Sequence, residues 1–518
     1  MRVFALAIAF AVLSAPAFAD PQVTIAQGAL AGTVDSGISV FKDIPFAAPP
    51  LGDLRWRTPQ PAPTWQGVRD ASRFGAICPQ APRPPGSRPR EPHPESEDCL
   101  TANVWTPNTG GKLPVMVWIY GGGFREGGSA DSLYDGTELA QHGVVVVTFN
   151  YRLGLFGFFD LPALAAEHPG EPHGNYGLMD QIAVLAWVKA NIAAFGGDPA
   201  NVTIFGESAG GMSVNDLMVS PLARGLFAKA ISESGLGLID TPTQEQAQTQ
   251  AATFAHSQGA GDETGAAQLK DLRARSIAAI VKEEPQTDAG GTGPMVDGVV
   301  LPDQVAKLFA QGRIAHATYM AGSNSDEATL MTYIGMSDDD MLKPLGDRAG
   351  DVRKIYEADG KLDDDQFVRQ LFDDALFASG AQAFVHYAAK MNPPAYVYHF
   401  RYVADALRSR QSGVSHGGEL FYVFGEHGLQ KTPQGAFLVS FASDKDKSVI
   451  TLMQNYWTNF AKTGDPNGAG LPAWPASTAA MPQTLVVDDQ TKAVAGFRKN
   501  QLAIVYGAWT GRTGLALP

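Results

Sequence analysis

Residues 206–210 read Gly206-Glu207-Ser208-Ala209-Gly210 and directly follow the apolar run Val202-Thr203-Ile204-Phe205. A serine at the centre of G-x-S-x-G, between a buried strand and an opening helix, has the layout of a nucleophile elbow. The demand is steric. A strand that turns into a helix within one residue forces the serine into strained backbone geometry and leaves its hydroxyl projecting. Glycines at 206 and 210 keep side chains out of the crowded neighbours. The N-terminus of the following helix directs its free N–H groups and dipole toward any oxyanion formed there. The pattern alone is common, and its flanking elements separate it from a glycine-rich turn carrying a surface serine.

A nucleophilic serine needs a general base, and the base needs an orienting acid. In this plan they follow in the chain order Ser, acid, His. Of the ten histidines, His386, His399, His416 and His427 come late enough. His386 lies in a helical run and His399 in the strand-like YVYHF, so neither suits a loop at the sheet's carboxyl edge. His416, in Gly413 to Gly418, and His427, in Gly425-Glu426-His427-Gly428, both occupy loops, and spacing leaves both open. Asp326 and Glu327 follow a candidate strand in TYMAGSNSDEAT. Either could hold the second ring nitrogen and stabilise the imidazolium, and the pattern does not choose. Tyr120-Gly121-Gly122-Gly123-Phe124 follows the first strong strand, and its glycines let backbone N–H groups approach a substrate oxygen. It lacks the Lys-Ser/Thr ending of a phosphate loop and the G-x-G-x-x-G spacing of a dinucleotide site. An oxyanion hole with Ala209 as a further donor is therefore the preferred reading.

The elements that must position these groups are legible as periodicity. PVMVWIY, VVVVTFNYR and VTIF are continuous apolar runs, which suit strands covered on both faces. Between the second and third, residues 176–195 read as a long helix, with Leu178, Ile182, Leu185, Val188 and Ile192 on one face. Gly196-Gly197 ends it, and Asp198-Pro199 reads as a turn. Strand, helix, strand in this order predicts a right-handed crossover in a mostly parallel sheet. Residues 22–25, 37–41, 317–321 and 395–400 are further candidate strands, and 366–389 and 445–463 candidate helices. Residues 241–285 look like small surface helices. The expected fold class is α/β, with a large central, mostly parallel sheet flanked by helices and interrupted by helical and loop excursions.

Across 518 residues, 39 Lys plus Arg stand against 53 Asp plus Glu, a formal net charge of −14. Such a surface repels phosphates, so nucleic acid is not an expected partner. With 45% hydrophobic and 18% charged residues, wholesale disorder is excluded. Residues 1–19 read as a secretory signal peptide: Met1-Arg2, an apolar run, and the cleavage site Ala17-Phe18-Ala19 before Asp20. Its apolar stretch is shorter than the roughly 20 residues that span a bilayer, and no later run is apolar enough. Residues 20–518 are then one catalytic domain, exported to the periplasm or secreted. Cys78 and Cys99, the two cysteines, flank the proline-rich APRPPGSRPREPHPE. In an oxidising compartment a disulfide between them would restrain that segment by about 3 kcal/mol. No metal cluster or cofactor motif is visible.

Together these pieces resemble the type-B carboxylesterase and lipase family, which includes the cholinesterases. FKDIPFAAPP, SEDCLTANVW, VMVWIYGGGF, TFNYRLGLFGF, the long segment ending in GESAGG, GSNSDEAT, GVSHGGELFYVFG and YWTNFAKTGDPN carry the likeness over essentially the whole mature chain. The resemblance implies an α/β-hydrolase fold with Ser208 as nucleophile, Glu327 as acid and His416 as base. It further implies oxyanion donors at Gly122, Gly123 and Ala209, and supports the Cys78–Cys99 bridge. Thr101-Ala102 and Ala328 depart from the family's usual Tyr-Leu and Gly, without touching a reacting group.

The implied function is a serine carboxylic-ester hydrolase that works through an acyl-enzyme on a small-molecule ester. Glu207 would line the site, there to favour a cationic or neutral alcohol portion or to hold structural water. Phe124 and Arg125 follow the glycine motif. Arg125 either pairs with an anionic substrate carboxylate or is a surface residue paired with Glu126. The first option suits polycarboxylate esters, such as the tricarballylate esters of fumonisin toxins that some relatives hydrolyse. A non-catalytic, cholinesterase-like binding domain is the alternative of another class; such relatives typically lose a triad member, and this chain keeps all three. Oligomeric state is not readable.

Overall fold

A computed structural model describes residues 20–82, 91–261, 264–283, 292–392, 394–425, 430–432, 435–437, 443–478 and 480–515. The expected signal peptide at 1–19, parts of the segments 81–95 and 241–285, and His427 lie outside them.

The three continuous apolar runs form adjacent central strands. Among the described residues the main sheet has eleven strands. They are β1 (Thr33–Asp35), β2 (Ile38–Pro45), β3 (Thr101–Thr106), β4 (Leu113–Ile119), β5 (Val145–Phe149) and β6 (Gly197–Glu207), followed by β7 (Lys229–Glu233), β8 (Thr318–Asn324), β9 (Ala395–Phe400), β10 (Gln483–Val487) and β11 (Lys492–Ala495). Their order is β11-β10-β9-β8-β7-β6-β4-β5-β3-β2-β1. From β10 to β5 every pair is parallel. The edge pairs are antiparallel. Strands β1, β3, β7, β10 and β11 were not anticipated. Strand β7 begins with a lysine and ends Ser232-Glu233, so it shows no apolar run although every residue in it is buried.

Helices α1 (Tyr176–Asn191), α2 (Ala209–Val219), α3 (Asp364–Phe372), α4 (Ser379–Met391), α5 (Asp444–Thr463) and α6 (Lys499–Thr513) surround the sheet. Helix α2 packs on β6 and β7, α4 on β8 and β9, and α5 on β4 and β6. Helix α1 with its 3-10 extension to Phe195 is long and apolar enough to cross a membrane by composition, contrary to the expectation for this run. It is instead a core helix, with 61% of its apolar window buried inside the fold.

Two local expectations need correction. Gly196 ends the helical segment in the left-handed region at φ 77. The chain then enters β6 at Gly197, so Asp198-Pro199 lies within the strand and not in a turn. The ladder to β4 shifts register between the Leu113–Gly197 and Val115–Val202 pairs. Pro199 falls in that irregularity, where it takes no donor from the ladder. The run 366–389 is not one regular helix either, because a π-helical segment, Asp373–Ala378, separates α3 from α4. This wide turn buries two carboxylates. Asp373 accepts the Ala328 N–H at 2.9 Å, and Asp374 pairs with Arg498 at 2.7 Å.

The predicted bridge is formed: Cys78 and Cys99 are joined, both fully buried.

Candidate active site

Ser208 stands between β6 and α2 with φ 58 and ψ −124, a region that residues with a Cβ rarely enter. Its N–H donates to the Glu233 carbonyl of β7 at 2.9 Å, and its carbonyl accepts from Met212 at 2.8 Å. The strain is held from both sides. A Cβ on Gly206 would sit 2.6 Å from the carbonyl oxygens of Ile119 and Gly210. One on Gly210 would collide with the Ile119 carbonyl.

The glycine loop at the end of β4 packs directly on this elbow. A Cβ on Gly121 would lie 2.6 Å from the Glu207 carbonyl and 2.9 Å from the Ser208 Cβ. Gly122, Gly123 and Phe124 follow with φ 100, 62 and 60. The Gly122 carbonyl accepts from both Arg125 and Glu126 at 3.1 Å, which closes the turn. Ala209 opens α2, so its N–H belongs to the unsatisfied first turn of a helix.

Across the cavity, Glu327 begins the 3-10 turn after β8 and is fully buried. Its Oε2 lies 2.6 Å from Nδ1 of His416. Its Oε1 accepts from the Ser234 hydroxyl at 2.6 Å and the Asn324 N–H at 2.7 Å. Asp326 is turned away and takes Arg369 Nε at 2.9 Å. The His416 loop is fastened to the same segment: Asp326 N–H to the Val414 carbonyl at 2.9 Å, His416 N–H to Thr329 Oγ1 at 3.0 Å, and Asn324 Nδ2 to the Ser415 carbonyl at 3.1 Å. His399 is buried in β9 beside Ser323, and burial pushes its pKa down to about 3. His386 lies in α4.

On its other nitrogen, His416 faces Glu207, whose Oε1 lies 3.2 Å from Nε2. That approach lacks hydrogen-bond geometry, and neither atom has a hydrogen-bond partner among the described residues. The Ser208–His416 hydrogen bond is thus not made in this resting arrangement; such contacts commonly tighten only with substrate bound. Burial alone would lower the His416 pKa, but the charges of Glu207 and Glu327 outweigh it and hold the imidazole at about 9. Burial pushes Glu207 up to about 7 despite the facing imidazole. It also pushes Glu419, near Glu207 and Glu327, up to about 8.

Ser208, Ala209, Gly122, Gly123, Glu207, His416, Phe124 and Arg125 all line one cavity of about 800 Å³. Arg125 is only 8% exposed, so it lies buried on the cavity wall and not at the surface, as does its neighbour Glu126 at 7%. Residue pattern missed Ser234, Asn324 and Glu419. Asn324 lies inside the recognised TYMAGSNSDEAT, Ser234 follows the unanticipated β7, and Glu419 lies three residues beyond His416.

The carboxylesterase family model matches residues 19–356 and 347–505. The chain belongs to the carboxylesterase family. This type-B carboxylesterase is 37% identical over 470 residues to a fumonisin B1 esterase of Sphingopyxis macrogoltabida, covering 87% of this chain and 83% of that one. It is 36% identical over 488 residues to the para-nitrobenzyl esterase of Bacillus subtilis, covering 90% and 95%. Among solved structures, a PNB esterase superposes with TM-score 0.78 at 33% identity, over 93% of this carboxylesterase and 99% of that chain. A thermophilic PNB esterase does so with TM-score 0.77 at 32% identity, over 94% and 99%. The fold is the α/β-hydrolase fold.

Proposed function

We propose that this carboxylesterase cleaves carboxylic esters through an acyl-enzyme carried by Ser208, with His416 as general base and acid and Glu327 as the group that orients it. The 2.6 Å contact between Glu327 Oε2 and His416 Nδ1, beside a strained serine opening on the same cavity, carries this reading. With Nδ1–H held by the carboxylate, Nε2 is the nitrogen left to take the Ser208 proton as Oγ attacks the ester carbonyl. The oxyanion receives hydrogen bonds from the N–H groups of Gly122, Gly123 and Ala209. The imidazolium protonates the departing alcohol, and a water activated in the same way releases the acid. Replacing Ser208 by Ala should abolish turnover and labelling by a fluorophosphonate. A Ser208→Ala protein that keeps full activity would refute the assignment.

A narrower reading keeps this chemistry and selects esters of polycarboxylic acids. A buried Arg125 on the cavity wall supports it, as does the likeness to a fumonisin B1 esterase. Rates on p-nitrophenyl esters with and without a free acyl carboxylate, for the wild type and Arg125→Gln, test it. A preference for the anionic ester that the substitution abolishes is the expected outcome.

Export completes the proposal: residues 1–19 are removed and residues 20–518 act as one catalytic unit outside the cytoplasm. The Cys78–Cys99 bridge supports this, since disulfides persist in oxidising compartments. N-terminal sequencing of the exported protein should begin at Asp20.

A further inference from the structure

Helix α2 carries Ser208 at its N-cap and presents Met212 and Asp216 at four-residue steps, so the three share one face. All three line the cavity. At 1.5 Å per residue, Asp216 lies about 12 Å along the helix from the nucleophile. Leu236, Ile239 and Pro242 line the same cavity and make much of its wall apolar.

Asp216 is 5% exposed, and its Oδ2 is buried with no hydrogen-bond partner among the described residues. The residue before it is fully employed. Asn215 donates to the Gly235 carbonyl at 2.9 Å and accepts from Tyr319 at 2.6 Å. A solitary buried carboxyl in a helix interior weakens a fold, so an unpaired one on a substrate cavity calls for a partner from outside. Burial, with no opposing charge, pushes its pKa up to about 8. The cavity's other charged groups are Glu126, Glu207, Asp240, Arg125 and His416. Asp240 is paired with Arg512.

We propose that Asp216 is a specificity-determining residue that receives a protonated amine on the part of the ester lying along Met212. This rests on the ester-hydrolase reading and names a feature of its substrate. An ammonium ion replaces the lost hydration of the carboxylate with a charge-assisted hydrogen bond, which a neutral chain of the same length cannot do. Arg125 stands on a different element, so a carboxylate and an amine can be read in one cavity.

The test uses p-nitrophenyl esters of straight-chain ω-amino acids, each paired with the alkanoate of equal heavy-atom count. In the wild type the ratio of kcat/KM for ammonium over neutral ester should peak at one chain length, at about tenfold or more. Asp216→Asn and Asp216→Leu should reduce that ratio toward one, mainly through KM. Asp216→Asn is the near-isosteric variant should Asp216→Leu fail to fold. A ratio that stays below one at every length, or is unmoved by Asp216→Asn, overturns the proposal. Calorimetric titration of hexylammonium into Ser208→Ala reads the same contact without turnover: binding that Asp216→Asn abolishes supports the site even if the acyl-enzyme assignment fails. Absent or unaffected binding counts against the site.

Discussion

His416 is held between two carboxylates: Glu327 Oε2 at 2.6 Å from Nδ1, and Glu207 Oε1 at 3.2 Å from Nε2. The second contact falls on the nitrogen that would accept the Ser208 proton in the proposed mechanism. Both charges favour the imidazolium and hold its pKa at about 9, above the ordinary 6.5. At pH 7 the charged form of the imidazole then predominates. The acid limb of kcat/KM should therefore have its midpoint well above 6.5. Glu207→Gln removes one stabilising charge, so the midpoint should move down by about a unit or more. A pH profile that does not move would show that Glu207 leaves the base untouched.

Glu327 is oriented from behind by Ser234 at 2.6 Å. Glu327→Gln should lower kcat by a factor on the order of 10³ to 10⁴, because the wrong tautomer and an unsupported imidazolium result. Ser234→Ala removes one hydrogen bond to Glu327, the proposed orienting acid, and about a tenfold loss is expected. Steady-state kinetics on p-nitrophenyl acetate, with circular dichroism as the fold control, separates the two.

The elbow tolerates no Cβ at 210, where it would meet the Ile119 carbonyl. Gly210→Ala should lower stability by about 3 kcal/mol or more and remove activity. Gly507, inside α6, has nothing within 4 Å of its Cβ position. Gly507→Ala should raise stability by about 0.5 to 1 kcal/mol. Thermal melts should thus move in opposite directions for the same chemical change.

Glu419 is fully buried, with its carboxyl pushed up to about 8, chiefly by burial. A carboxyl whose folded pKa exceeds its unfolded value of about 4.3 gives stability that is fully present below pH 4.3 and lost as pH rises toward 8. Glu419→Gln cannot ionise and keeps an oxygen for Asn324. Its melting temperature should match the wild type at pH 5 and exceed it at pH 8.5, by an amount worth a few kcal/mol. An equal difference at both pH values would contradict the account.

The Cys78–Cys99 bridge closes a sequence separation of 21. Reduction, or Cys78→Ser with Cys99→Ser, should cost about 3 kcal/mol in denaturant unfolding. A variant as stable as the oxidised wild type would mean that the unfolded chain gains little freedom on losing the bridge.

Local sterics and periodicity made the central elements legible. VMVWI, VVVTF and VTIF are strands because both faces are covered, and the elbow glycines announce a bend that admits no side chain. Strand β7 was illegible because its neighbours bury polar residues: Glu233 accepts the Trp457 indole N–H at 3.0 Å. The π-helical break at 373–378 was equally hidden; the partner of its buried Asp374, Arg498, lies 124 residues away.

What the sequence by itself determined is therefore the set of candidate reactive groups and the bends that expose them, because these depend on neighbours within a few positions. Residue pattern alone left Asp326 and Glu327 equivalent, and a family likeness was needed to prefer one. Only the tertiary structure turns Asp326 to Arg369, brings Glu327 to an imidazole 89 positions away, sets Glu207 against its far nitrogen, and leaves Asp216 alone on the cavity wall. Those outcomes depend on burial and on charges that distant segments bring together, and spacing along one chain carries neither quantity.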